Sequence, residues 1–155
     1  MEVYKYEDYV HIPNICPHKF FKAYCKNHGG ITKRVGSRHV ENLKGSGGVG
    51  TVRKIRWQNG GRLCHETHTI TTIDEVKLTY CYTVSESHVL TGRVERASYE
   101  TTFSPHAGGV RIKKVARYHH DGVETIEVLA KAHIQEIFEH YHSVGHHLRQ
   151  NPDDY

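Results

Sequence analysis

Between Lys44 and Thr51 the chain reads Lys-Gly-Ser-Gly-Gly-Val-Gly-Thr, with strand-like sequence on both sides. Gly45, Gly47 and Gly50 spell G-x-G-x-x-G, with Gly48 inside it, and Val52 extends the spelling to that of a kinase phosphate loop. A dinucleotide fingerprint of this kind works only where a helix starts at the glycines and aims its N-terminus at the phosphates. Here Thr51, Arg53, Ile55 and Trp57 alternate with Val52, Lys54 and Arg56, which is the period of a strand. The lysine and Ser/Thr of a nucleotide-hydrolysing loop are missing, and no H-R-D or D-F-G segment follows. The stretch is therefore expected to be a tight strand-to-strand connection that uses glycine for positive φ angles.

On either side of that loop the chain is organised as strands. Val3 to Ile12 is aromatic and β-branched enough for a first strand, ended by Pro13. Pro17 fits the first position of a helix carrying Phe20, Phe21, Ala23 and Tyr24, with Gly29-Gly30 as its stop and a short second helix from Ile31 to Val35. Strands follow at Val40 to Leu43, Thr51 to Trp57 and Leu63 to Ile73, with a hairpin signal at Asn59-Gly60-Gly61. After the Asp74-Glu75 turn, Lys77 to Val84 alternates so that Leu78, Tyr80, Tyr82 and Val84 share one face. Arg93 to Phe103 and Val110 to Tyr118 complete a meander, turned at Pro105 to Gly109. Beyond Asp121-Gly122 the period becomes helical: Ala130, Ile134, Ile137, Tyr141, Val144 and Leu148 make one apolar stripe, stopped by Asn151-Pro152. An antiparallel sheet that buries one face against a long C-terminal helix is an α+β domain, expected to span residues 1–155.

Composition narrows the function classes. Apolar residues make up 37% and charged residues 25%, which suits a soluble globular chain and not a disordered one. No apolar run reaches the ~20 residues of a membrane span, and Met1-Glu2 begins no signal peptide, so the mature chain is expected to start at or near Met1. Cys16, Cys25, Cys64 and Cys81 contain no C-x-x-C pair and are expected to be reduced thiols in the cytoplasm. A formal charge of +4 is weak for a dedicated nucleic-acid binder. Fifteen histidines are the compositional oddity, a residue type whose ordinary pKa lies near neutrality.

The segment Glu41 to Val52, together with Phe20-Phe21-Lys22-Ala23, Ile73-Asp74 with Tyr80 and Tyr82 behind it, Arg117-Tyr118-His119 and the ending Asn151 to Tyr155, resembles the Bet v 1 family of plant pathogenesis-related class 10 proteins. The resemblance implies a helix-grip, START-like fold. Its parts would be a seven-stranded curved antiparallel sheet around a long C-terminal helix, two short helices after the first strand, and a large internal cavity. It also implies a cytoplasmic plant-defence protein or allergen that binds a hydrophobic or amphipathic metabolite such as a flavonoid, cytokinin or alkaloid. A few relatives, such as norcoclaurine synthase, are enzymes of specialised metabolism, so a lyase, cyclase or isomerase is the alternative. The lysine of that enzyme falls at Thr79 and its acidic partner near His68, so its mechanism does not carry over. A proposed ribonuclease pattern of the family keeps Glu95 but meets Gly145 and His147 near the helix end.

Under that resemblance the ligand-binding residues are Tyr80, Tyr82, Leu63, Trp57, Ile55, Phe21, Val94, Leu129 and Ile137. His65 and His68 on one strand, Tyr99 on another and His133 on the helix are expected to form an imidazole- and phenol-rich pocket for acid/base chemistry. Glu136, one turn after His133, would orient it or act as a base. His142 and His146, and the pairs His119-His120 and His146-His147, have metal-compatible spacing without H-E-x-x-H, and no native metal or cofactor is expected. Arg53, Lys54, Arg56, Lys113, Lys114 and Arg117 are expected on a solvated sheet face, across neighbouring strands. The partner is a small metabolite, with no membrane or nucleic acid, and the protein is expected to be a monomer.

Overall fold

Aromatic and β-branched residues hold Glu2–Ile12 (β1) extended, and Pro13 ends it. The computed structural model describes residues 1–26, 31, 35, 38–87 and 93–153. Cys16 caps the short helix Pro17–Phe21 (α1), its Sγ accepting the Lys19 amide at 3.4 Å, and Pro17 supplies the fixed φ of the first turn. The helix widens into one π-helical turn, Lys22–Lys26, which buries Ala23 and Cys25. Gly29-Gly30 lie outside the described residues. Of the second short helix only Ile31 and Val35 are described, joined by a Val35 amide to Ile31 carbonyl bond of 3.1 Å.

The strands are β2 (His39–Lys44), β3 (Val52–Asn59), β4 (Arg62–Asp74), β5 (Thr79–Ser87), β6 (Val94–His106) and β7 (Gly109–His120). They form one antiparallel sheet in the order β1-β7-β6-β5-β4-β3-β2. Tight turns set this order, because a short connection leaves the next strand only its predecessor to pair with. Gly60 and Gly61 turn β3 into β4 with φ of 59° and 83°, and Asn59 pairs with Arg62 across them. Asp74 Oδ1 accepts the amides of Val76 and Lys77, both at 3.0 Å, and turns β4 into β5. Leu78 belongs to this turn and not to the strand: its φ is 48°, although its side chain still packs on the core. β1 is the exception to local pairing, since it finds β7 at the far end of the meander.

The glycine-rich stretch connects β2 to β3, as its flanks predict. Gly45, Gly47 and Gly50 have φ of 79°, 120° and 91°, and no helix begins there. The Gly47 amide donates to Thr51 Oγ1 at 2.9 Å, and the Gly50 amide donates to the Ile70 carbonyl at 2.8 Å, so the loop is stitched to β4.

The C-terminal helix Ile126–Gln150 (α2) lies on the inner face of the sheet. Ala130, Ile134, Tyr141, Val144 and Leu148 of the expected stripe are buried, Ile137 is half-buried, and His133, Phe138 and His140 widen the stripe. Full burial of a side chain such as Phe20, Ile134 or Leu148 contributes about 2 kcal/mol. The helix packs tightly on β1 at Gly145, where an added Cβ would stand 2.4 Å from Ile12 Cγ2. Gly145→Ala removes a helix glycine, a gain of about 1 kcal/mol, yet the methyl overlaps Ile12, so a net loss of about 1–3 kcal/mol is expected in urea unfolding. Gly48→Ala, which meets nothing within 4 Å, is expected to stay within about 0.5 kcal/mol of the parent; equal stability of the two variants would refute the close packing of α2 on β1.

Candidate functional site

Alternation along four neighbouring strands delivers one set of side chains to the space under α2. From β4 come Cys64, Glu66, His68 and Ile70; from β5, Tyr80, Tyr82 and Val84; from β6, Ala97, Tyr99, Thr101 and Phe103; from β7, Ile112, Lys114, Ala116 and Tyr118, all buried. His68 stacks on Tyr82 with ring centroids 4.4 Å apart, and Tyr82 stacks on Tyr99, its cross-strand partner, at 5.1 Å. Tyr99 meets Tyr118 edge-on at 5.9 Å.

Glu66 is the hub of this group. Its two carboxylate oxygens each face a different imidazole: Oε1 lies 3.5 Å from His133 Nε2 on α2, and Oε2 lies 3.5 Å from His68 Nε2 on its own strand. Burial alone would push this carboxyl up, but the charges and hydrogen bonds of His133 and His68 hold it well below the usual carboxylate range. The other ring nitrogen of His133 lies 3.1 Å from Tyr99 Oη, and Tyr99 Oη donates to Tyr118 Oη at 3.3 Å. A carboxylate, an imidazole and two phenols thus form one chain along which a proton can move. Both phenols are pushed up by burial and stay protonated at neutral pH.

Two cations join the interior. Lys114 is fully buried, and its Nζ donates to Thr101 Oγ1 at 2.9 Å and to Tyr141 Oη at 2.8 Å. The Nζ sits 4.8, 5.5 and 5.3 Å from the ring centroids of Tyr82, Tyr99 and Tyr141. Burial pushes its pKa down to about 7, against the pull of the Glu66 charge. Arg53, 3% exposed, enters from β3, and its charge bears on the phenols of Tyr24 and Tyr80 and on the Cys25 thiol. Arg53 Nε and Nη1 and Tyr80 Oη are buried and find no hydrogen-bond partner among the described residues. His140 Nε2 shares that condition, and burial followed by the Arg38 charge takes the His140 pKa down to about 3.

The structure brings His68, Tyr99 and His133 together, with Tyr80 and Tyr82 beside them. Phe21 and Val94 are buried in the same core, while Leu129 and Ile137 pack against it half-buried. Two expected pocket residues are corrected. His65 and Leu63 point to the outer face, because β4 keeps a period of two through Cys64, Glu66 and His68; His65 faces Glu86 at 3.8 Å, and Leu63 is 75% exposed. Ile55 and Trp57 are buried in a separate cluster with Val40 and Cys64. Glu136 accepts the Trp57 indole N–H at 3.1 Å, and the carboxylate that meets His133 is Glu66. The expected basic face is also corrected: β3 and β7 are not neighbours in the sheet, and Arg53 and Lys114 point inward. Thr79, the position of the norcoclaurine synthase lysine, opens β5 and is half-buried. Among the described residues, no three His, Cys, Asp or Glu gather into a metal-holding cluster.

Direct contacts cross the space between sheet and helix at Lys114–Tyr141 and at Glu66–His133–Tyr99. A cleft of about 330 Å³ opens beside it between α1, the π-helical turn and the β4–β5 turn, lined by His18, Phe21, Lys22, Lys26 and Glu75. Its inner wall, Phe21, meets Phe103 edge-on at 5.6 Å, and Phe103 stands two residues from Thr101 on the same face of β6. A Lys26–Glu75 ion pair spans the cleft. No helix among the described residues is long and apolar enough to cross a membrane.

A curved antiparallel sheet grips one long helix, with polar groups lodged between them. Residues 1–150 match the pathogenesis-related protein Bet v 1 family, and the chain belongs to that family. It is 31% identical to the major allergen Mal d 1 of Malus domestica, with 100% of this chain and 99% of the relative aligned. Against the major strawberry allergen Fra a 1-E of Fragaria ananassa it is 32% identical, over the same shares of the two chains. The crystal structure of Ara h 8.0201 superposes with a TM-score of 0.83 at 24% identity, covering 97% of this chain and 100% of the other. Ginseng major latex-like protein 151 from Panax ginseng superposes with a TM-score of 0.68 at 14% identity, covering 90% and 97%. Members of this family bind small hydrophobic ligands.

Glu66→Gln tests the hub. A carboxyl with a depressed folded-state pKa stabilises the fold above its unfolded value of about 4.3 and loses that contribution as pH falls. The variant is expected to lose about 3 kcal/mol at pH 7, with the gap to the parent closing below about pH 4. A gap independent of pH in chemical denaturation would show that the carboxylate charge is not what holds His133.

Proposed function

We propose that this protein binds an amphipathic plant metabolite with an aromatic body, such as a flavonoid, cytokinin or alkaloid, between the inner face of the sheet and α2. The observation that carries this reading is the unfilled hydrogen-bonding capacity of Arg53 and Tyr80. Three of their polar atoms are buried without a partner among the described residues, in an interior where Lys114, Tyr99 and Tyr118 all find one. Leaving such an atom unpaired costs about 1–3 kcal/mol, more for a charged group. A phenolate, carboxylate or carbonyl on a ligand would recover that cost, while the rings of Tyr24, Tyr80 and Tyr82 supply apolar walls.

Displacement of the fluorescent sulfonate 1-anilinonaphthalene-8-sulfonate from the full chain, by a panel of flavonoids, cytokinins and alkaloids, tests this. Saturable probe binding with displacement by at least one class is expected. Arg53→Leu is expected to weaken anionic ligands roughly 10- to 100-fold, the value of a hydrogen bond to a charged group, and neutral ones little. A chain that binds neither the probe nor any panel member overturns the reading.

The Glu66–His133–Tyr99 chain favours a second reading, an enzyme of specialised metabolism that isomerises or cyclises its ligand by acid/base catalysis. On that reading Tyr99 exchanges a proton with the ligand and His133 relays it. Tyr99→Phe and His133→Gln are each expected to lower turnover of a ligand found in the panel about 100-fold, the low end of general acid/base catalysis. Unchanged turnover in both variants excludes the chain as catalytic machinery.

A further inference from the structure

We propose that Lys114 is a reactive amine that captures an aromatic aldehyde as an imine inside the protein. The proposal rests on interior ligand binding and names the chemical class that the β7 side of the interior would hold covalently.

Lys114 has the surroundings of a nucleophile. It is 0% exposed, yet none of its hydrogen-bond partners is an acid: Thr101 and Tyr141 are neutral hydroxyls, at 2.9 and 2.8 Å. A lysine held for its charge would face a carboxylate, as Glu66 faces His68 and His133. The ionisable groups that act on Lys114 are Glu66 on β4, Cys25 in the π-helical turn and Cys81 on β5, while Tyr82, Tyr99 and Tyr141 present ring faces from β5, β6 and α2. Desolvation outweighs their pull and brings the pKa down to about 7. About half of Lys114 is then free amine at neutral pH, against roughly one in 2,500 for a solvated lysine.

The reaction balances without any added oxidant or reductant. The Nζ lone pair attacks the carbonyl carbon, an N–C bond forms, and the C=O π pair moves to oxygen. A proton passes from nitrogen to that oxygen through Tyr141 Oη, giving a neutral carbinolamine. The nitrogen pair then expels the oxygen as water, so both amine hydrogens leave with it and a C=N bond remains. Tyr141 keeps its proton for this relay, because burial pushes its phenol far up. An aromatic aldehyde fits because phenol rings form the walls. The 330 Å³ cleft is the opening that lies towards Lys114: its wall Phe21 touches Phe103, which stands two residues from Thr101, the hydroxyl that Lys114 Nζ bonds.

Incubation of the full chain with benzaldehyde, reduction with sodium borohydride and peptide mapping by mass spectrometry test the proposal. One benzyl group is expected on Lys114, saturating with aldehyde concentration and absent in Lys114→Arg. The trapping rate on Lys114 is expected to rise through pH 7 and level off above it, because only the free amine attacks. Label on surface lysines alone, or Lys114 label that climbs steadily to pH 10 as surface lysines do, overturns the proposal. A chain that still binds 1-anilinonaphthalene-8-sulfonate while Lys114 stays unlabelled overturns imine capture and leaves interior binding standing; loss of both overturns both.

Discussion

The contact between Glu66 and the two imidazoles fixes how sheet and helix meet. An isolated carboxylate in this interior would be costly, and it is tolerated because His68 and His133 each face one of its oxygens. His68 comes from the same strand, but His133 comes from α2, so the helix must dock in one rotation for the carboxylate to be paired. The apolar stripe of α2 is wide enough to accept neighbouring rotations, whereas His133 between Glu66 and Tyr99 accepts only one. Replacing a whole buried pair by apolar residues is often neutral, whereas removing one partner alone is costly. Everything on the inner face, from the Tyr82–Tyr99 stack to the Lys114–Tyr141 bond, presupposes that choice.

Around the hub the interior is graded in polarity. On the β3 side Arg53 has hydrogen-bonding capacity to spare and phenols as neighbours. On the β7 side Lys114 is satisfied by hydroxyls and ring faces. Glu66 lies on β4 between them in the sheet order and acts electrostatically on Lys114. An amphipathic molecule lying along this gradient would meet an anion-seeking end, an aromatic middle and an amine. Few protein interiors carry two buried cations.

Much of this was legible in residue order, and the failures have identifiable causes. Turn chemistry at Gly60-Gly61 and Asp74, and strict alternation from Tyr80 to Val84, fix the meander and its inner face. Arg53 shares its period with Ile55 and Trp57, and Lys114 shares its period with Ile112, Ala116 and Tyr118, so the inward cations were also written in the pattern. Residue type alone places them on a solvated face, because long charged side chains nearly always lie there. Residue type hides Glu66 for the same reason, although it falls between Cys64 and His68 in the inward set. For His65 residue type suggests the pocket, whereas the strand period turns it outward. The π-helical turn after α1 and the bulges at Thr67/His68 and Ile70/Thr72 leave no mark in residue type.

The pairing of β1 with β7 bears on how the chain is made. Glu2 waits for His120, and Tyr9 for Lys113, before either finds its ladder partner. During synthesis the β2–β6 meander can pair strand by strand while the tyrosine-rich β1 remains without hydrogen-bond partners, the condition in which strands join the wrong neighbour. Such long-range closure slows folding. Lys5 and Glu7 are exposed along β1 between its tyrosines, and alternating charge of that kind discourages association with another copy. The N-terminal strand thus carries its own protection for the interval between emerging from the ribosome and being claimed by the last strand of the sheet.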